Sequence, residues 1–120
     1  MGNFRNLTVW QKSRELTNSI YLATKLFPDE ERFGLTAQLR RASVSVMSNL
    51  AEGCGRNRTT ELLRFLDIAG GSATEIECQL VVAEDQGYLS AKGATSLQRR
   101  VKEVQRMLAG LIRHLKSTSS

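Results

Sequence analysis

The side chains of this 120-residue chain best suited to chemistry are its arginines, and the chemistry they suit is the binding of phosphate. Arg40 and Arg41, Arg56 and Arg58, and then Arg64 fall within one stretch, and Arg99, Arg100, Arg106 and Arg113 recur along the last quarter with Lys102 among them. A guanidinium presents a planar fork of donors that matches phosphate oxygens in pairs and stacks on exposed bases. The candidate nucleic-acid-binding residues are therefore Arg40, Arg56, Arg58, Arg64, Arg99, Arg100, Arg106 and Arg113. The competing reading is a solvated basic face whose charges pair with acidic groups of another copy. Aromatic residues make up only 6% of the chain, which disfavours a sequence-reading binder of single strands.

A second constellation is polar and points to assembly. Gln38, Arg41, Ser45, Asn49 and Glu52 recur three or four residues apart, and Arg64, Ser72, Glu75 and Gln79 form a matching series further on. Set face to face on two helices, these series make a hydrogen-bonded interface, with Arg41 and Glu75 as one pairing. Such groups are costly to bury unless every partner is satisfied, so the pattern predicts a specified contact, with a ligand groove as the alternative.

Other chemistries lack their partners. Ser43, Ser45 and Ser48 have no GxSxG turn around them, and the single histidine, His114, lies near the far end of the chain. Glu52, Glu61, Glu75 and Glu77 could be set in a bundle core, but a diiron site also needs Glu-x-x-His pairs, and one histidine cannot supply them. Cys54 and Cys78 stand 24 residues apart without a CxxC pattern, which excludes a zinc site. Gly53-Cys54-Gly55 follows a helical pattern where a phosphate loop follows a strand, and no P-loop lysine accompanies it. The expectation is a protein that is not an enzyme and carries no cofactor and no metal. A polar start and the lack of an apolar run of roughly 18 residues predict no signal peptide and no membrane span. A reduced cytoplasmic protein with two free thiols follows.

The net charge of +5 conceals an uneven distribution. Residues 1–58 net +4, residues 59–90 net −5 and residues 91–120 net +6. Acidic and basic segments in alternation predict charge-complementary packing, within the chain or between copies.

The elements that carry these residues read as helices throughout. Thr8 and Gln11 have the form of a capping box, and apolar residues from Val9 to Phe27 follow helical spacing until Pro28, giving a first helix over about 9–27. An acidic run, Asp29 to Glu31, precedes a second helix over about 35–52, with Leu35, Leu39, Ala42, Val46 and Leu50 as its core stripe. Gly53 is expected to end it in the left-handed conformation. A third helix over about 61–86 is capped by Thr59 or Thr60 and is expected to bury Leu62, Phe65, Leu66, Ala69, Ala73, Ile76, Leu80 and Ala83. Gly70-Gly71 inside it marks a close helix crossing or a break. Gly87 ends it, and a fourth helix runs over about 91–116 with a seam from Leu97 through Val101, Val104, Leu108 and Leu111 to Leu115. Four helices with short connections predict a single all-α domain over residues 1–120, an up-down-up-down antiparallel four-helix bundle.

Several of these segments, taken together, also resemble a known family. They are Leu7-Thr8-Val9-Trp10-Gln11-Lys12, Phe27-Pro28, the run Gly34 to Ala42, Ser48 to Gly53 with Arg56, and Phe65 to Ser72 with Glu75. The chain resembles the small bundle proteins encoded within intervening sequences of bacterial 23S ribosomal RNA genes. The resemblance implies a left-handed bundle assembled as a homopentameric ring. It also implies kinship with accessory proteins of diversity-generating retroelements, which bind nucleic acid and a reverse transcriptase. Expected partners are thus further copies of the chain, RNA or DNA, and a ribosomal or reverse-transcriptase-like protein. The family commonly has proline where this chain has Met47, so the resemblance implies a weaker kink in the second helix here.

Overall fold

The computed structural model describes residues 2–118, and among these there are helices and turns but no strands. Four long helices are formed: α1 over Thr8–Thr24, α2 over Leu35–Cys54, α3 over Thr59–Asp85 and α4 over Ala91–Thr118. Each packs antiparallel to the next and α4 closes the square against α1, which is the expected bundle. Leu16, Ile20, Leu39, Val46, Leu50, Leu66, Ile76, Leu80, Val101 and Val104 are fully buried at its centre. Each of these leucines and isoleucines contributes about 1.5–3 kcal/mol by leaving water.

The start of α1 differs from the capping box expected there. Leu7 holds the N-cap position in extended backbone, Thr8 is already helical, and the Gln11 amide donates to the Arg5 carbonyl at 2.8 Å. That carbonyl belongs to a 3-10 turn, Phe4–Asn6, which is capped by Asn3 and sets Phe4 edge-on to Trp10 at 4.9 Å. Gln11 therefore ties the lead-in to the helix in place of closing a box. The other end of α1 comes three residues early, at Thr24. Leu26 N–H and Phe27 N–H bond to the carbonyls three residues back, which tightens the last turn. The tighter path turns Phe27 into the core at 8% exposure and throws Leu26 out to 86%.

Gly53 is also not where the left-handed C-cap was expected. It lies inside α2 with ordinary backbone, and the helix continues to Cys54. Its role is contact: a Cβ there would stand 3.0 Å from Leu62 Cδ1 and 3.1 Å from Phe65 Cβ, so only hydrogen lets α2 and α3 approach. The helix passes Met47 as one element. Gly87 does take the positive φ, 79°, and its N–H and that of Tyr88 bond back to Glu84 and Ala83 in a Schellman closure of α3.

α3 begins at Thr59, two residues earlier than expected, with Arg58 at the N-cap and no side-chain bond there. It is continuous through Gly70-Gly71-Ser72, so no break forms. Nor do those glycines sit at a close crossing, because a Cβ on either would have nothing within 4 Å. Gly71 is exposed, and Gly70 is half-buried beside an open depression bordered by Leu108 and Ile112 of α4. α4 follows its expected seam as far as Leu108; Leu111 and Leu115 are only half-buried, so the last turns extend past the fully buried core.

Candidate functional site

α4 carries an outward row of arginines because its seam fixes which positions face away. With Leu97, Val101, Val104 and Leu108 turned inward, Arg99, Arg106 and Arg113 are exposed and recur every seven residues. Seven residues rise about 10.5 Å and come within about 20° of two full turns, so the three form a nearly straight row about 21 Å long. Among the described residues none of the three makes an ion pair.

The neighbouring charges behave differently. Arg100 Nη1 stands 3.4 Å from Glu15 Oε1 and Lys12 Nζ 3.7 Å from Glu103, which stitches α1 to α4, while Lys12 also lies 3.9 Å from Glu15 within α1. These pairs are largely exposed, worth about 0.2–1 kcal/mol each. Lys12, Arg99, Arg100, Glu103 and Arg106 together border an open depression of about 380 Å³. On the other side of α4, Glu77 of α3 receives Lys102 Nζ at 2.6 Å and Gln105 Nε2 at 3.0 Å. Those two hydrogen bonds, Gln105 first and Lys102 second, hold the Glu77 carboxyl below the usual carboxylate range. The expected charge-complementary packing is therefore present between α4 and both its neighbours, but it leaves the arginine row unused.

The arginines of the α2–α3 region divide further. Arg40 donates to Thr24 Oγ1 at 2.9 Å and to the Tyr21 carbonyl at 3.4 Å, with its guanidinium carbon 4.7 Å from the Tyr21 ring centre, so it fastens α2 to the end of α1. Arg56 lies 4.8 Å over the Phe65 ring. Arg58 and Arg64 are exposed and form no ion pair among the described residues. Both sit at the end of the bundle where α4 finishes, the same end as Arg113.

The polar series meets at its centre and opens at its edges. Ser45 and Ser72 share a hydrogen bond at 2.9 Å across the α2–α3 contact, and Asn49 Nδ2 donates to the Ser45 hydroxyl and carbonyl at 3.1 and 2.8 Å. The same antiparallel register, carried two turns along, sets Gln38 level with Gln79. Gln79 is 8% exposed and its Oε1 accepts from no described residue. Gln38, Arg41, Glu52 and Glu75 are exposed, and Arg41 and Glu75 form no ion pair within the chain among the described residues. The two series thus make a short hydrogen-bonded seam with charged margins.

Lys12, Glu15, Glu103, Gln98 and Gln105 did not stand out in the sequence. Their pairing joins residues 21 to 91 positions apart and depends on which helices become neighbours. No group of three or more His, Cys, Asp or Glu side chains among the described residues is placed to hold a metal, and no helix is long and apolar enough to cross a membrane. Burial pushes the Cys54 thiol upward, while Cys78 is exposed.

This fold has a solved counterpart in a protein of unknown function from the S23 ribosomal protein family of Bacteroides thetaiotaomicron. The two superpose with a TM-score of 0.80 at 22% identity, over 88% of this chain and 96% of that one, which is a likeness of fold. No curated protein matches the chain. The family model of the 23S rRNA-intervening sequence proteins matches residues 5–110, nearly the whole bundle including the Ser45–Ser72 seam and two of the three arginines in the row, and the chain belongs to that family.

Proposed function

We propose that the chain is a non-enzymatic, oligomeric cytoplasmic protein that binds the phosphate backbone of structured RNA or DNA along α4. The observation that carries this reading is the row Arg99, Arg106 and Arg113, exposed and without ion pairs among the described residues while the neighbouring Arg100 and Lys102 are paired. A straight row of fixed positive charge engages a backbone without reading bases, and releases counterions as it binds. Arg58 and Arg64 extend the basic surface at the Arg113 end.

Fluorescence anisotropy with a labelled RNA hairpin and a DNA duplex, between 50 and 200 mM salt, tests it. Each neutralised phosphate steepens the log–log salt dependence by about 0.7–0.9, so the triple variant R99Q/R106Q/R113Q should lose about 2–3 from the slope. No binding at low salt, or an unchanged slope in the triple variant, overturns the reading.

A second reading, an assembly or adaptor protein, is favoured by one stripe of α3. Ile68, Ser72, Glu75, Gln79 and Val82 share a face, with Ile68 44% and Val82 42% exposed and the Gln79 carbonyl unpaired. A second copy seated there would cover the apolar groups and supply a donor to Gln79. The homopentameric ring and a ribosomal or reverse-transcriptase-like partner belong to this reading through the family resemblance. Arg41→Glu and Glu75→Arg should each dissociate such an oligomer and the double swap should partly restore it; unchanged mass by light scattering in both single variants counts against the pairing.

A further inference from the structure

We propose that the cleft at the α1–α2 corner binds a phosphate group, carried either by a free nucleotide or by the end of a nucleic-acid strand. The cleft encloses about 170 Å³, room for about five water molecules at their liquid share and so for one tetrahedral oxyanion. Three cationic residues line it, Lys25, Arg32 and Arg40, and one carboxylate, Asp29. The lining itself is therefore net positive, with Glu30 and Glu31 outside it. Thr24 and Thr36, both buried, line the same space.

The geometry is held in advance. Arg40 is fixed by its bonds to Thr24 Oγ1 and the Tyr21 carbonyl, and these engage Nε and one terminal nitrogen, leaving the rest of the guanidinium to a ligand. An arginine immobilised before binding loses little entropy on binding. Thr36 lies in the first turn of α2, where the helix dipole favours an anion. Of the acidic run beside it, Glu31 does not line the cleft; its Oε2 accepts from the Tyr88 hydroxyl at 2.9 Å and its Oε1 from the Leu35 N–H at 3.1 Å, so it caps the first N–H of α2. Phe27 and Pro28 give the cleft an apolar wall that strengthens charge–charge attraction within it. Phe33, next to Arg32 in the chain, is 84% exposed; the Arg32 guanidinium lies 4.7 Å over one face of its ring, and the other face can receive a base attached to the phosphate.

This site lies away from the α4 row and does not depend on it. Proton–nitrogen NMR titration at low salt, with inorganic phosphate, AMP, and a hexanucleotide carrying either a 5′-phosphate or a 5′-hydroxyl, tests it. Saturable shifts should cluster at the amides of residues 24–40 with every phosphate-ended probe and be absent with the 5′-hydroxyl strand. Lys25→Gln and Arg32→Gln, both exposed and so tolerated by the fold, should each weaken binding about tenfold, and Asp29→Asn should tighten it. If the 5′-phosphorylated strand binds more tightly than AMP, the natural source is a strand end; if the two are equal, it is a free nucleotide; either result upholds the pocket. The response should persist in R99Q/R106Q/R113Q, which separates this site from the α4 surface. Shifts scattered over all cationic residues, or localised shifts unchanged in K25Q/R32Q, overturn the proposal.

Discussion

Replacing glycine by alanine at two places in this bundle should give opposite signs, and the difference measures how helix contact competes with helix propensity. Gly53, Gly70 and Gly71 are all helical with backbone that alanine accepts, since among the described residues the only glycines with positive φ are Gly2 and Gly87. Alanine therefore gains about 1 kcal/mol of propensity at each. At Gly70 and Gly71 the new methyl group meets nothing within 4 Å, so the gain stands. The pair G70A/G71A should stabilise by about 1.5–2 kcal/mol. At Gly53 the methyl group falls 3.0 Å from Leu62 Cδ1 and 3.1 Å from Phe65 Cβ. Leu62 is buried and has little room to turn, and a Cβ moves only with its backbone, so α3 must shift; overpacking of this kind costs about 1–3 kcal/mol. Net loss in G53A should be about 1 kcal/mol. For a domain of this size these changes correspond to about +5 to +8 °C and about −3 to −5 °C in melting temperature. Thermal and urea melts followed by circular dichroism, run at low protein concentration, decide the matter, with the urea m-value unchanged in both variants. If G53A is as stable as the parent, or if G70A/G71A is less stable, the packing argument is wrong.

Three further outcomes are expected. Ser45→Ala and Ser72→Ala should each cost about 1 kcal/mol in chemical denaturation, and the double variant should cost less than their sum, because the pair shares one hydrogen bond. Glu77 is depressed in the folded state, so its contribution is present above the unfolded carboxylate range and fades as pH falls through its folded value; a Glu77→Gln variant should show a flatter acid limb in melting temperature against pH. Ellman's reagent should label Cys78 quickly in the native protein and Cys54 only as fast as the bundle opens; equal rates would contradict the burial of Cys54.

The parts of this molecule that sequence reasoning reached are those governed by local periodicity. Leu35, Leu39, Ala42, Val46 and Leu50 specify the buried face of α2 whatever packs on it, and all five are buried. Gly87 was legible because its left-handed turn is a local requirement. Gly53 was misread since glycine at a contact and glycine at a cap look identical in sequence, and only the position of Leu62 and Phe65 on another helix distinguishes them. The candidate site divides on the same principle. The sequence places Arg99, Arg100, Lys102, Arg106 and Arg113 along the last helix, but which of them stay unpaired, like the engagement of Arg40 by Thr24, depends on neighbours distant in the chain such as Glu15. The α1–α2 cleft combines both limits: Lys25, Arg32 and Thr36 lie close in sequence, yet they converge only because α1 ends at Thr24 and the chain reverses through Pro28.

The contact between Tyr88 and Glu31 has a mechanical consequence. That hydrogen bond, with the Phe27 ring tilted against Tyr88 at 5.4 Å, clips the α3–α4 connection to the α1–α2 connection at one end of the bundle. At the opposite end α4 has no buried residue after Leu108. The last turns of α4 are thus a compliant tip on an otherwise packed bundle, and opening should travel along α4 from that tip toward the Tyr88 clip. Amide exchange along α4 should quicken steadily from Val104 to Thr118. A strand gripped by Arg99 and Arg113 at once would bridge the stiff and compliant halves, and would damp motion at the tip.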